Sequence, residues 1–344
     1  MSSSFEYRTT PFLADSRFAD SSLAAAATHE TRVAAHAPRP LHIVTPLIDA
    51  DISGRRVSLK LDNLQPARSF KLRGIGRLCQ HHAERGAKRF VCSSAGNAGY
   101  AVAWVGRALA IPVTVVVPQC TPAFVRARIS ALGAEVHCTG DIWDQANAAA
   151  LELAMQPGSA FIPPFDHPLI WEGHASLVEE LAQQCHEVPD AILLAVGGGG
   201  LLLGILEGLR CAGWQDTRVL AVEPEGAAAL GPSLLSGRIV EQVHPRSVAS
   251  SLCVQRVSDS LVSACAGRSV TAVTVRDEET TNACVRLAED HGLVVEPACG
   301  AALAPLYSGH PALAGAKNVV AIVCGGMVVT LDQLAGWRQA HASC

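Results

Sequence analysis

Residues 191–206 read AILLAVGGGGLLLGIL. An apolar run stopped by glycine, with β-branched and leucine side chains throughout, reads as a strand buried on both faces, the kind that parallel sheets contain. The apolar segment after the glycines is long enough for a helix, so the stretch is a strand, a turn and a helix in that order. Four glycines in a row cost backbone entropy on folding, and a plain tight turn does not need them. Close approach of backbone N–H groups to a phosphate at a helix N-terminus does need them. The dinucleotide fingerprint GxGxxG does not fit, because Leu201, Leu202 and Leu203 stand where its later glycine belongs. The turn contains no lysine, which suits a single phosphate monoester held by Gly197, Gly198, Gly199 and Gly200.

Working outward, the same alternation runs from residue 39 to the last strand. VSLKL (57–61), RFVCS (89–93), VTVVVP (113–118), AEVHCT (134–139), VLAVEP (219–224) and VVAIVC (319–324) are strand-length runs separated by helix-length amphipathic segments. This is the pattern of βαβ units and a mostly parallel sheet, whose ligands sit at the C-terminal ends of the strands. Two more of those ends carry chemistry. SSAGNAGYAVAW (93–104) exposes successive N–H groups from Ser93 to Gly96 at a helix start, a nest suited to a carboxylate, and Asn97 adds a side-chain donor. CGGM (324–327) closes the last strand with a thiol and two glycines. SFKLRGIG (69–76) places a lysine and an arginine two residues apart, which alone would read as solvated charge on a helix face.

Composition narrows the function classes. At 344 residues the chain exceeds one ordinary domain and predicts two lobes, or one large α/β unit with an insertion. Charged residues make up 17%, against about 25% in typical usage, and the net charge is −4 with no Lys/Arg run, which argues against a nucleic-acid partner. The longest apolar runs are broken by glycine and fall short of the roughly 20 residues a membrane helix needs. The 12 cysteines are scattered without CxxC pairs in a chain too large to need stapling, so a reducing cytosol is expected, with core-filling roles for most of them. The 13 histidines show no HxxxH or HExxH spacing, and His81 and His82 beside Glu84 and Arg85 read as a solvated face, so no zinc site is expected. Residues 1–38 lack apolar periodicity and read as a mobile N-terminal extension. A cytoplasmic location is expected; a mitochondrial transit peptide is the alternative, against which Glu6, Asp15, Asp20 and Glu30 count.

Taken in order, SFKLRGIG, SSAGNAG, PPFDHPLIWEGHASLVEEL, VGGGGLLLGI, AVEPEGA, VEPACGAALAPLYS and VCGG closely resemble the serine dehydratases of the fold-type II pyridoxal-phosphate enzymes, over about residues 40–338. The resemblance implies an α/β fold of two open, twisted, mostly parallel sheet domains like the tryptophan synthase beta chain, with pyridoxal 5'-phosphate in the cleft. It implies a small domain near 65–168 and a large one from 39–64 with 169–344. Lys71 would form the Schiff base and act as catalytic base. Phe70 would pack against the ring, Asn97 would bond the ring hydroxyl, and Gly197 to Gly200 with Leu201 would hold the phosphate. Ser94, Ala95, Gly96, Asn97 and Ala98 would take the substrate carboxylate, and Phe165 would line the cleft. Cys324 would face the pyridine nitrogen as a weak partner, leaving the ring largely neutral and favouring loss of a β-leaving group over transamination. Arg73 reads as a structural or helix-face residue.

The implied reaction is dehydration and deamination of L-serine, and of L-threonine, to pyruvate or 2-oxobutanoate and ammonia, in amino acid metabolism that feeds gluconeogenesis. The alternatives are a lyase of the same fold for another 3-hydroxy amino acid, or a weakly active cofactor-binding protein. Related serine racemases carry a serine at the position of Ala95, so racemization should be minor. Only a short tail follows Met327, so the regulatory domain of biosynthetic threonine deaminases, and with it feedback by isoleucine, is not expected. Glu223 and the Ala227 carbonyl resemble the family's cation site. Ala229 brings no side-chain oxygen there, so potassium or sodium is expected over a divalent ion. Met327, Val328 and Val329 replace the usual polar residues, which predicts missing hydrogen bonds near the ring. His167 reads as a surface substitution, and a homodimer is implied.

Overall fold

The computed structural model describes residues 39–342; the expected extension at 1–38 lies outside them. In chain order the strands are β1 (Leu47–Ile52), β2 (Arg55–Lys60), β3 (Arg89–Cys92), β4 (Val113–Val117), β5 (Glu135–Cys138), β6 (Ser159–Phe161), β7 (Ala191–Ala195), β8 (Arg218–Pro224), β9 (Val270–Val275) and β10 (Val319–Ile322). The helices are α1 (Lys71–Glu84), α2 (Asn97–Leu109), α3 (Ala123–Ser130), α4 (Trp143–Ala154), α5 (Pro168–Gln184), α6 (Gly200–Ala212), α7 (Leu230–Ser236), α8 (Leu261–Cys265), α9 (Asp277–His291), α10 (Pro297–Tyr307) and α11 (Leu331–Ala342).

Two sheets form. One runs β1-β2-β10-β7-β8-β9 and is parallel apart from the β1–β2 pair; the other runs β5-β4-β3-β6 and is parallel throughout. Every residue of β7 is buried, as is every residue of β4, which is what helices on both faces of a parallel sheet impose. One core gathers Leu59, Ile192, Leu193, Val222, Leu303 and Ile322 around the six-stranded sheet, and a second gathers Ile75, Phe90, Val102 and Val115 around the four-stranded one. Each fully buried aliphatic side chain contributes about 1.5–3 kcal/mol relative to exposure.

All seven expected strands are present; β1, β6 and β9 are additions. The β1–β2 hairpin turns on Ser53 and Gly54, with φ of 53° and 75°, and the Asp51 carboxylate accepts the Gly54 N–H at 2.8 Å. A two-residue loop with both φ positive matches the twist of a hairpin, and the Ser-Gly pair is its sequence signal. His167 is no mere surface substitution: its Nδ1 accepts the Leu169 N–H at 3.1 Å and caps α5, with Pro168 in the first turn. Burial, reinforced by His81, lowers its pKa and so keeps that nitrogen an acceptor. His81 and His82 are half-buried, not a fully solvated face.

Candidate active site

Lys71 opens α1, and the chain just before it is pinned to the turn after β10. Ser69 bridges Gly325, the Phe70 N–H donates to the Cys324 carbonyl at 2.9 Å, and the Gly326 N–H donates to the Arg68 carbonyl at 3.1 Å. The lysine therefore starts at the C-terminal edge of the six-stranded sheet. Its Nζ donates to the Pro164 carbonyl at 2.5 Å and lies 5.2 Å from the Phe70 ring centroid. Burial pushes its pKa down to about 8, opposed by the neighbouring Cys92, Cys324 and Glu296. More of the amine is thus neutral near pH 7 than for an exposed lysine. Arg73 corrects the helix-face reading: it is fully buried and paired to Asp62 and Glu180.

The glycine turn reaches the same place. Gly199, at φ 91°, precedes α6, and no side chain caps that helix, so the N–H groups of Gly200, Leu201 and Leu202 belong to its free first turn. The Leu201 side chain itself points into the core. A Cβ on Gly198 would fall 2.4 Å from the Phe165 ring, and one on Gly200 would fall 2.6 Å from the Phe165 carbonyl oxygen. The glycines therefore serve two purposes, bare N–H groups and close seating of the 164–166 segment whose Pro164 carbonyl receives Lys71.

A second uncapped helix start faces this group. No side chain caps α2 at Gly96; Ser94, Ala95 and Gly96 keep partial exposure, while Asn97 and Ala98 are buried. Asn97 Nδ2 donates to Glu296 Oε1 at 2.6 Å, and its Oδ1, near Gly325, has no partner. Glu296 is the residue that the sequence reading passed over. It is fully buried and also accepts from Ser251 Oγ at 3.1 Å and from the Val328 N–H at 3.4 Å. Burial raises its pKa against the pull of those bonds. A lone acid inside the apolar run VVEPACGAAL, followed by a proline that starts α10, is the signal for it.

The Cys324 thiol is held well above its usual pKa by its hydrogen bond with the Cys299 thiol and by burial, so it is protonated at neutral pH. The Cys324 N–H also donates to Cys299 Sγ at 3.0 Å. The Met327 side chain is buried. It fills the core of the four-stranded lobe, and its carbonyl accepts from Arg128.

Glu223 lies apart from this cluster. Its carboxylate accepts the N–H groups of Leu230 at 2.7 Å, Gly231 at 2.9 Å and Ala229, at the start of α7, and burial raises its pKa. Ala227 is buried in the turn between β8 and α7, and the Ala229 carbonyl is taken by Ser233 Oγ at 2.7 Å. Among the described residues no three or more His, Cys, Asp or Glu are grouped to hold a metal, and no helix is long and apolar enough to cross a membrane. Of the described cysteines, all free, Cys120, Cys138 and Cys211 are exposed and so are not core filler.

The cluster fits pyridoxal phosphate. A buried amine of lowered pKa suits an aldehyde, an uncapped helix start bearing four glycines suits the phosphate, and the orphaned Asn97 Oδ1 suits a ring hydroxyl. The comparisons with known proteins point the same way. Residues 39–325 match the family described as pyridoxal-phosphate dependent enzyme. The chain is 45% identical to a serine dehydratase-like protein of Rattus norvegicus, across 86% of this chain and 93% of that protein. It is 43% identical to an L-serine dehydratase/L-threonine deaminase of Bos taurus, across 88% and 96%. The crystal structure of a fungal L-serine ammonia-lyase from Rhizomucor miehei superimposes with a TM-score of 0.82 at 34% identity, across 88% of this chain and 99% of that one. On this sequence match and this shared architecture, the chain belongs to the pyridoxal-phosphate dependent enzymes and, among them, to the serine/threonine dehydratase family.

Proposed function

We propose that this chain dehydrates and deaminates L-serine, and L-threonine, to pyruvate or 2-oxobutanoate and ammonia. The observation that carries the reading is the meeting of the buried Lys71 amine with two uncapped helix starts, at α2 and α6, and the orphaned Asn97 Oδ1. The activities named for the bovine and fungal relatives support it. When bound, the cofactor supplies an electron sink for the pair left on Cα as its proton departs. Gly197 to Gly200 and the Leu201 N–H would hold the phosphate, Phe70 would pack against the ring, and Cys324 would offer the pyridine nitrogen a protonated thiol. Ser94 to Ala98 hold the substrate carboxylate. Lys71 would anchor the cofactor, and its amine, once free, would take the Cα proton as general base. The β-hydroxyl would leave as water, on the proton that Lys71 takes from Cα. The unsaturated amino acid left behind hydrolyses to the keto acid and ammonia.

Ala95 offers no acid on the opposite face, so D-serine formation from L-serine stays minor. A potassium or sodium ion belongs to the same reading, at Glu223 and the Ala227 carbonyl, because that buried carboxylate is met by backbone N–H groups and, among the described residues, by no ion-pair partner. Activity in potassium or sodium against a bulky organic cation tests it. The membership of the two sheets supports a small lobe at 65–168 and a large one at 39–64 with 169–344. We extend the reading to a homodimer in the cytoplasm whose product feeds gluconeogenesis, open to sedimentation and cell fractionation. The deciding experiment is keto-acid yield across L-serine, L-threonine and other 3-hydroxy amino acids. Yield from serine and threonine is expected; yield only from another member of the panel overturns the substrate, and none at all overturns the activity.

A further inference from the structure

Arg73 follows Lys71 by two residues on α1 and is fully buried. Its fork grips two carboxylates at once. Nε and Nη2 donate to Asp62 at 2.7 and 2.8 Å, while Nη1 and Nη2 donate to Glu180 at 2.6 and 2.9 Å. Ser176 Oγ at 3.1 Å and Thr45 Oγ1 at 3.3 Å complete the set, so all five guanidinium hydrogens have acceptors. Lys60 balances the second carboxylate, donating to Glu180 at 2.5 Å, the Thr45 carbonyl at 2.8 Å and Gln184 at 2.7 Å. Two cations and two anions thus tie α1 to α5, to the turn after β2 and to the segment before β1.

The backbone leaves α1 little room to move otherwise. A Cβ on Gly74 would fall 2.5 Å from the Ile170 carbonyl, and one on Gly173 would fall 2.5 Å from the Arg73 carbonyl, so α1 and α5 touch main chain to main chain. α5 touches α6 in the same way, since a Cβ on Gly204 would fall 2.8 Å from the Trp171 carbonyl. Lys71 therefore lies between two anchors, the Phe70 N–H on Cys324 and the Arg73 fork. Through α5 the fork also bears on the helix that carries the glycine turn.

Resting on the reading of Lys71 as the catalytic amine, we infer that Arg73 is a positioning residue for it, a role that needs the two-carboxylate fork and not merely a positive charge. The cluster is neutral overall, so the effect is geometric. Lysine keeps the charge and loses the fork.

The test compares Arg73→Lys with Lys60→Met, which removes a cluster charge whose hydrogen bonds go to Glu180, Thr45 and Gln184 and not to a residue of α1. At equal cofactor occupancy, Arg73→Lys is expected to lower kcat by roughly 10- to 100-fold with KM within about threefold, while Lys60→Met lowers the melting temperature and keeps kcat. The visible circular dichroism of the bound cofactor, read without substrate, should change in Arg73→Lys alone. If Arg73→Lys does not accumulate folded, Glu180→Gln, which leaves the grip on Asp62, carries the same comparison. Wild-type kcat in the fork variant, a loss matched by Lys60→Met, or an unchanged dichroism band overturns the inference. A wild type inert on serine and threonine overturns the substrate reading instead, and the dichroism comparison still decides the role of Arg73.

Discussion

Burial, more than any neighbouring charge, sets the chemistry of Lys71. Its ammonium form is favoured only below about pH 8, so the neutral amine gains as pH rises to that point and gains little beyond. Uptake of pyridoxal phosphate by the cofactor-free protein should therefore speed up to about pH 8 and then level, where an ordinary lysine would keep gaining beyond pH 10. A stopped-flow pH series checks this; continued acceleration through pH 10 would contradict it. Lys71 was legible through the family resemblance of seven segments in order, since SFKLRGIG alone reads as solvated charge. Glu296 was not, because what marks it is the burial of its carboxylate against Asn97, 199 residues away. The partners of Arg73 were hidden for the same reason.

At the scale of elements, the strand-turn-helix at 191–206 was readable because every β7 side chain is buried and the glycines interrupt the apolar run. The β1–β2 hairpin was not, since LIDADI carries two aspartates on a half-exposed edge and only its Ser-Gly turn gives it away. Gly198→Ala is expected to push Phe165 aside and weaken cofactor affinity at least tenfold, read by cofactor titration, because its Cβ would sit 2.4 Å from that ring. Unchanged affinity would mean that the turn does not hold the phosphate. His167→Ala should cost roughly 1 kcal/mol of stability in thermal unfolding, and His167→Asn should keep most of it. His167 is lowered in the folded state, so the unfolded chain binds more protons; its cap acts above about pH 6.5 and is lost as pH falls through the folded value.

Across the whole molecule, stability and function meet in the buried charges at the root of α1. Removing one partner of a buried, fully bonded pair leaves an uncompensated charge, so Asp62→Asn should cost about 3–5 kcal/mol in denaturant unfolding. Asp49→Asn, at an exposed pair with Arg56, should cost nothing measurable. Equal effects would remove the case for the cluster as the anchor of the lysine helix. The parallel α/β character was legible from alternating periodicity, because parallel strands need crossover helices between them; its division into two sheets was implied by the family resemblance. Which loops converge at the strand ends became clear only once Pro164, Gly325 and Asn97 were seen around Lys71.

The most direct test of the central claim is keto-acid release from L-serine by the holoenzyme and by Lys71→Ala, measured side by side. Pyruvate and ammonia in equal amounts from the wild type, with none from the variant, is the predicted result. Pyruvate from Lys71→Ala at the wild-type rate, or none from either protein, would contradict it.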